Sequence, residues 1–198
     1  ILLEQDIHQV NADKIGISRR QVKTITYCFL YGGGNQKLGL SYDSMLPLET
    51  AKKKGAEIRR AYMDAIPGLE KLVEDTKRVA GGGSIRAIDK RQILVDKEHK
   101  ALNCLLQGSA AVIAKRWLLL THKNIGETVH ERYAFVHDEQ VLGSPVQNAQ
   151  FIADVCKLSA LQAGEYYNIR LPIEADAQIG DNWACLLYTS DAADDNTC

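Results

Sequence analysis

The side chains best suited to chemistry in this sequence recur at intervals of four. Arg19, Lys23, Tyr27 and Tyr31 lie within RRQVKTITYCFLYGGG, residues 19–34. An α-helix turns about 100° per residue and rises about 1.5 Å, so these four positions form one slowly drifting stripe about 18 Å long. The stripe is polarised. Its two cations lie toward the helix N-terminus, where the backbone dipole is also positive, and its two phenols toward the C-terminus. A matching ligand has several negative charges at one end and a flat base at the other, which is the shape and approximate length of a nucleoside triphosphate. A solvated basic face with Tyr hydroxyls in water would carry the same residues.

Two further groups stand out. His137, Asp138 and Glu139 fall between RYAFV and QVLG, two short runs that read as strands, which places them at a hairpin tip. Adjacent carboxylates at a bend are either solvated or gathered around a hard cation. Mg²⁺ suits the second case, because it takes few protein carboxylates and shares its other positions with water and phosphate. Asn103 and Gln107, again four apart, lie in the apolar run HKALNCLLQGSAAVIAKRWLLLT. Amides in such a helix need partners. Those partners are nearby backbone groups, or the minor-groove acceptors of a nucleic acid, which are nearly alike for every base pair.

The elements that must position these groups can be read from periodicity and breakers. Residues 1–10 read as a helix end and a loop. A helix follows at 19–32, with Ser18 as its N-cap and Gly32, Gly33 and Gly34 as its stop. Residues 48–65 form a basic amphipathic helix that Pro67 and Gly68 terminate, and 69–79 form another. GGGS at 81–84 is a turn, 85–95 a short hairpin, and 99–121 a long, mostly buried helix. Strands at 132–136 and 140–143, a helix at 146–166 and a closing strand at 171–177 complete the chain. Helices first, then strands among helices, predict an α+β fold.

With 198 residues, 45% of them hydrophobic, the chain can build one globular core. Residues 14–100 carry 18 Lys and Arg against 10 Asp and Glu, a net of +8, and the remainder carries −9. A basic half suggests a polyanion partner, although segregation also arises on solvated helices. Five cysteines without C-x-x-C spacing suggest neither a disulfide framework nor a zinc site, and they fit a reducing cytosol. The apolar stretch AAVIAKRWLLL is broken by Lys115 and Arg116, so no membrane span is expected. The chain begins at Ile1 without Met and reads as a fragment.

Taken together, the motifs resemble a known family. RxxxKxxxYxxxYG, from Arg19 to Gly32, resembles motif B of family A DNA polymerases. DIH at 6–8 resembles the segment before it, and ALNxLLQ at 101–107 and VHDE at 136–139 resemble the next two motifs, in order. GDNWA at 180–184 is similar to the carboxyl end of the short-tailed-phage replicative branch. The resemblance implies that residues 1–185 are the C-terminal part of a right-hand polymerase domain. Residues from about 12 to 80 would be helical fingers, and 81–185 mainly an incomplete antiparallel-sheet palm. Arg19, Lys23 and His8 would then hold the triphosphate, with Tyr27 against the sugar and Tyr31 at the templating base. Asn103, Gln107 and His137 would contact primer–template DNA, and Asp138, with Glu139 beside it, would bind one of two Mg²⁺ ions. The implied reaction is attack of a primer 3′-OH on the α-phosphate of a deoxynucleoside triphosphate, in the cytoplasm of an infected bacterial host. A processivity factor would be a further partner, and no membrane would take part.

The family's other metal-binding Asp would precede Ile1, so the 198 residues alone are expected to be inactive. Asp89-Lys90-Arg91 replaces the family's usual Asp-Gly-Arg. LLYTSDAADDNTC at 186–198 looks foreign to a polymerase end and is expected to be a disordered tail without function. Two rival readings stand beside this one: a single-subunit phage-type RNA polymerase, which shares motif B, and a non-catalytic nucleotide- and primer–template-binding fragment. HDE and the ALNxLLQ helix favour DNA synthesis.

Overall fold

A computed structural model describes residues 7–182, which divide after Gly108 into two compact units. The first unit opens with helices α1 (Ile7–Ile15), α2 (Arg19–Leu30), α3 (Asn35–Tyr42), α4 (Leu48–Ala65) and α5 (Leu69–Ala80). A hairpin of β1 (Ser84–Arg86) and β2 (Gln92–Leu94) follows, then one 3₁₀ turn and the start of α6 (Ala101–Ile125). The second unit holds the rest of α6, a hairpin of β3 (Glu131–Val136) and β4 (Glu139–Gly143), and α7 (Val146–Tyr166). Both sheets are two-stranded and antiparallel. The fold is α+β, as the order of elements predicts.

The core of the first unit forms where apolar faces at helical spacing meet. Val22, Ile25, Cys28 and Phe29 are the buried side of α2, and Ile58, Tyr62, Leu69 and Val73 come to them from α4 and α5. Each such aliphatic burial contributes roughly 1.5–3 kcal/mol. Between α3 and α4 the backbones themselves touch. A Cβ on Gly39 would run into Ala51, and one on Gly55 into Asn35. In the second unit Ile125, Ile152, Val155 and Cys156 form a smaller core, with Leu142 against it. Trp117 of α6 donates to the Cys156 carbonyl of α7 at 2.8 Å and meets Phe135 of β3 edge-on. Asn124 of α6 donates to Ser159 and Gln162 of α7 at 3.0 and 2.8 Å.

Four sequence expectations need correction. The first helix does not give way to a loop by residue 10. It runs to Ile15 and stops at Gly16, whose φ of +73° suits glycine. Helix α3 is an element that the sequence pattern does not predict, being eight residues with a glycine inside. His137 and Asp138 form the turn, but Glu139 already belongs to β4. Residues 171–177 are not a strand. Ile173, Ala175 and Ala177 are half-buried and alternate with exposed Glu174 and Asp176, so the pattern is present, but no ladder partner reaches it among the described residues. Alternation places side chains, whereas a strand also needs a neighbour for its N–H and C=O groups. Asp6 of DIH, Trp183 and Ala184 of GDNWA, and the tail at 186–198 lie outside the described residues.

Candidate functional site

Helix α2 is built as the spacing requires. The Ser18 hydroxyl accepts from the Gln21 N–H at 3.3 Å, and the Gln21 side chain accepts from the Ser18 N–H at 3.1 Å, a reciprocal cap that fixes where the helix starts. Gln21 also donates to the Tyr42 carbonyl at 3.2 Å, tying the start of α2 to the end of α3. With Val22, Ile25 and Phe29 turned inward, the stripe looks out. Arg19 is exposed, Lys23 half-buried, and Tyr27 and Tyr31 are 49% and 54% exposed. His8 is half-buried on α1, which packs on α2.

Gly32 closes the stripe at a φ of +74°, against the chain that leads into α6. A Cβ there would come within 2.8 Å of the His99 carbonyl oxygen. The aromatic end of the stripe therefore lies beside the turn that precedes Asn103. Asn103 is half-buried and Gln107 exposed, and neither amide has a side-chain hydrogen bond among the described residues. Beside the glycine turn is a cavity of about 430 Å³, bordered by Phe29, Gly33, Arg59, Lys77 and His99.

In the second unit, Val136 and Glu139 pair across a two-residue turn, and His137 takes a φ of +52°. His, Asn and Asp accept that conformation more readily than most residues. The turn leaves His137, Asp138 and Glu139 exposed. Just behind the turn, Gln140 donates to the buried Thr121 hydroxyl of α6 at 3.2 Å and anchors the tip of the hairpin. Asp138 and Glu139 border a groove of about 1050 Å³, whose walls are apolar at Trp117, Leu142 and Ile152 and acidic at Asp176 and Asp181. The donor chemistry at the turn suits one side of a hard-cation site. No group of three or more His, Cys, Asp or Glu positioned to hold a metal occurs among the described residues.

The profile of DNA polymerase family A matches residues 2–185. The chain belongs to DNA polymerase family A. Among curated relatives, the DNA-directed DNA polymerase of Escherichia phage T7 is 28% identical over 92% of this chain. That of Escherichia phage Phieco32 is 32% identical over 92%. DNA polymerase I of Bacillus caldotenax is 26% identical over 90%. The chain spans 29%, 30% and 21% of the lengths of these relatives. Its fold matches the POL domain of Pol1 from M. smegmatis, solved in complex with DNA primer-template and dNTP, with a TM-score of 0.73 at 21% identity. That match covers 87% of this chain and 33% of the other. The phage relatives agree with the branch that the motifs resemble. Among the described residues no helix is long and apolar enough to cross a membrane.

Two residues that sequence reasoning passes over, Arg59 and His99, border the cavity beside the glycine turn. In the sequence Arg59 is only part of a basic helix face, and His99 only the start of the long helix. A glycine at position 55, inside a helix and one turn before Arg59, is the signal that a neighbouring backbone approaches that face.

Proposed function

We propose that the chain is the fingers and part of the palm of a replicative DNA polymerase, with residues from about 12 to 80 as fingers and 81–185 mainly palm. The observation that carries this reading is the outward, polarised stripe on α2 in a family A chain. Arg19 and Lys23 bind the triphosphate with His8 beside them, Tyr27 lies along the sugar, and Tyr31 meets the templating base. Asn103 and Gln107, with no side-chain hydrogen bond among the described residues, contact the minor groove of primer–template DNA, and His137 lies near the primer end. The primer 3′-OH gives up its proton to solvent as its oxygen bonds to the α-phosphorus, the bond to the bridging oxygen breaks, and pyrophosphate leaves. Lys23 stabilises negative charge as it builds on the leaving group. Asp138 would hold Mg²⁺ with Glu139 next to it, and the ion would neutralise charge on the triphosphate. The setting is the cytoplasm of a phage-infected bacterium, where a processivity factor is a further partner.

Asp138 and Glu139 alone do not make a two-metal site. The complete polymerase that contains this chain should therefore extend a primed DNA template with Mg²⁺ and all four deoxynucleotides, and the 198-residue chain by itself should not. Extension by the isolated chain, free of host polymerase, would contradict the incomplete metal site. Failure of the complete enzyme would contradict the function.

A further inference from the structure

We infer that Arg59 is a positioning residue for the aromatic end of the stripe, an inference that rests on the polymerase reading. Its guanidinium reaches from α4 to three successive parts of the chain. It lies 5.2 Å from the centre of the Phe29 ring on α2, donates to the Gly33 carbonyl in the turn, and donates to Asn35 Oδ1, at the first residue of α3, at 2.7 Å. A planar fork with fixed donors can hold three such partners in one geometry, which an ammonium cannot.

The turn needs such a tie. Three consecutive glycines have more backbone freedom than any other tripeptide, and the cavity of about 430 Å³ leaves one side of them without packing. Within the turn, Gly32 and Gly33 donate to Phe29 and Cys28 at 3.0 and 2.8 Å, which holds them to α2. Arg59 adds the link to α4, whose backbone is already against α3 at Gly55. Burial pushes the guanidinium pKa down, so a partly desolvated charge is held here by its hydrogen bonds and the Phe29 ring. Gly33 is two residues beyond Tyr31, so a loosened turn displaces the residue that meets the templating base.

The test has two arms. Arg59→Met keeps much of the length and an apolar contact with Phe29 but removes the charge and the donors, and Arg59→Lys keeps charge but removes the fork. In the 198-residue chain, amide hydrogen exchange at Gly32 and Gly33 should quicken at least about tenfold in Arg59→Met and less in Arg59→Lys, with Val22 to Ile25 unchanged. In the complete polymerase the ratio of kcat/KM for correct over mismatched nucleotides should fall about tenfold in Arg59→Met, in step with the exchange. Unchanged exchange at the turn, or a uniform rise along α2, overturns the inference, as does full discrimination despite a loosened turn. Should Arg59→Met fail to fold, Arg59→Lys is read by the same criteria. An unsubstituted polymerase that makes no DNA refutes the proposed function instead, and the exchange arm still decides whether Arg59 fixes the turn.

Discussion

Tyr27 is half in solvent on the face that carries Arg19, Lys23 and Tyr31, with Val22 and Ile25 fully buried behind it. Its hydroxyl is therefore free to face a bound sugar. A nucleotide without a 3′-OH leaves its neighbours one polar group short, and the phenol can occupy about that place. An unpaired buried polar group costs about 1–3 kcal/mol, and about 1.4 kcal/mol is a factor of ten in rate. The complete polymerase should accept dideoxynucleotides nearly as readily as deoxynucleotides. Tyr27→Phe should raise discrimination between them at least about tenfold. The ratio of kcat/KM for the two substrate types, in both enzymes, checks this. An unchanged ratio means that the stripe does not face the nucleotide. The stripe is legible in the sequence because four side chains at fixed spacing need only helical geometry. Arg59 is not, because its partners lie 24 to 30 positions away in sequence and become neighbours only when α4 packs on α3.

The β1–β2 hairpin turns through Asp89-Lys90-Arg91, with a lysine where the resemblance leads one to expect glycine. Lys90 takes a φ of +69°, and its N–H donates to the Ala87 carbonyl at 2.8 Å, while the Asp89 carboxylate accepts from the Arg91 N–H at 3.1 Å and its Nε at 2.6 Å. These bonds hold a residue with a Cβ in the left-handed region, at a cost of about 1–2 kcal/mol. Lys90→Gly removes that strain and gives back about 0.5–1 kcal/mol through the greater freedom of the unfolded chain. The net expectation is a gain of roughly 0.5–1 kcal/mol, read as a rise in the urea midpoint at unchanged slope. A lower midpoint contradicts this account of the turn. Among elements, those with a cap or a breaker are legible: α2 from Ser18, α4 and α5 from the Pro67-Gly68 break between them. Helix α3 is hidden because its Gly39 weakens helix propensity while allowing the approach to Ala51 that stabilises it. The segment at 171–177 misleads in the other direction, since its alternation is real and its pairing is missing.

At the scale of the whole molecule, the stripe and the two amides belong to the first compact unit and the paired carboxylates to the second. The charge division runs close to the same line, net basic over residues 14–100 and net acidic over the remainder. This separation predicts that binding and turnover can be uncoupled by one substitution. Asp138 sits on an exposed turn, and Asp138→Asn is nearly isosteric, so neither the hairpin nor the first unit should change. Only one negative charge on the turn is removed. The decisive measurement is single-turnover primer extension by the complete polymerase under saturating Mg²⁺, with nucleotide and primer–template affinities determined alongside. The expected result for Asp138→Asn is a rate lower by about a hundredfold or more, with both affinities little changed. A near-normal rate would contradict the claim that this hairpin carries the metal of a DNA polymerase.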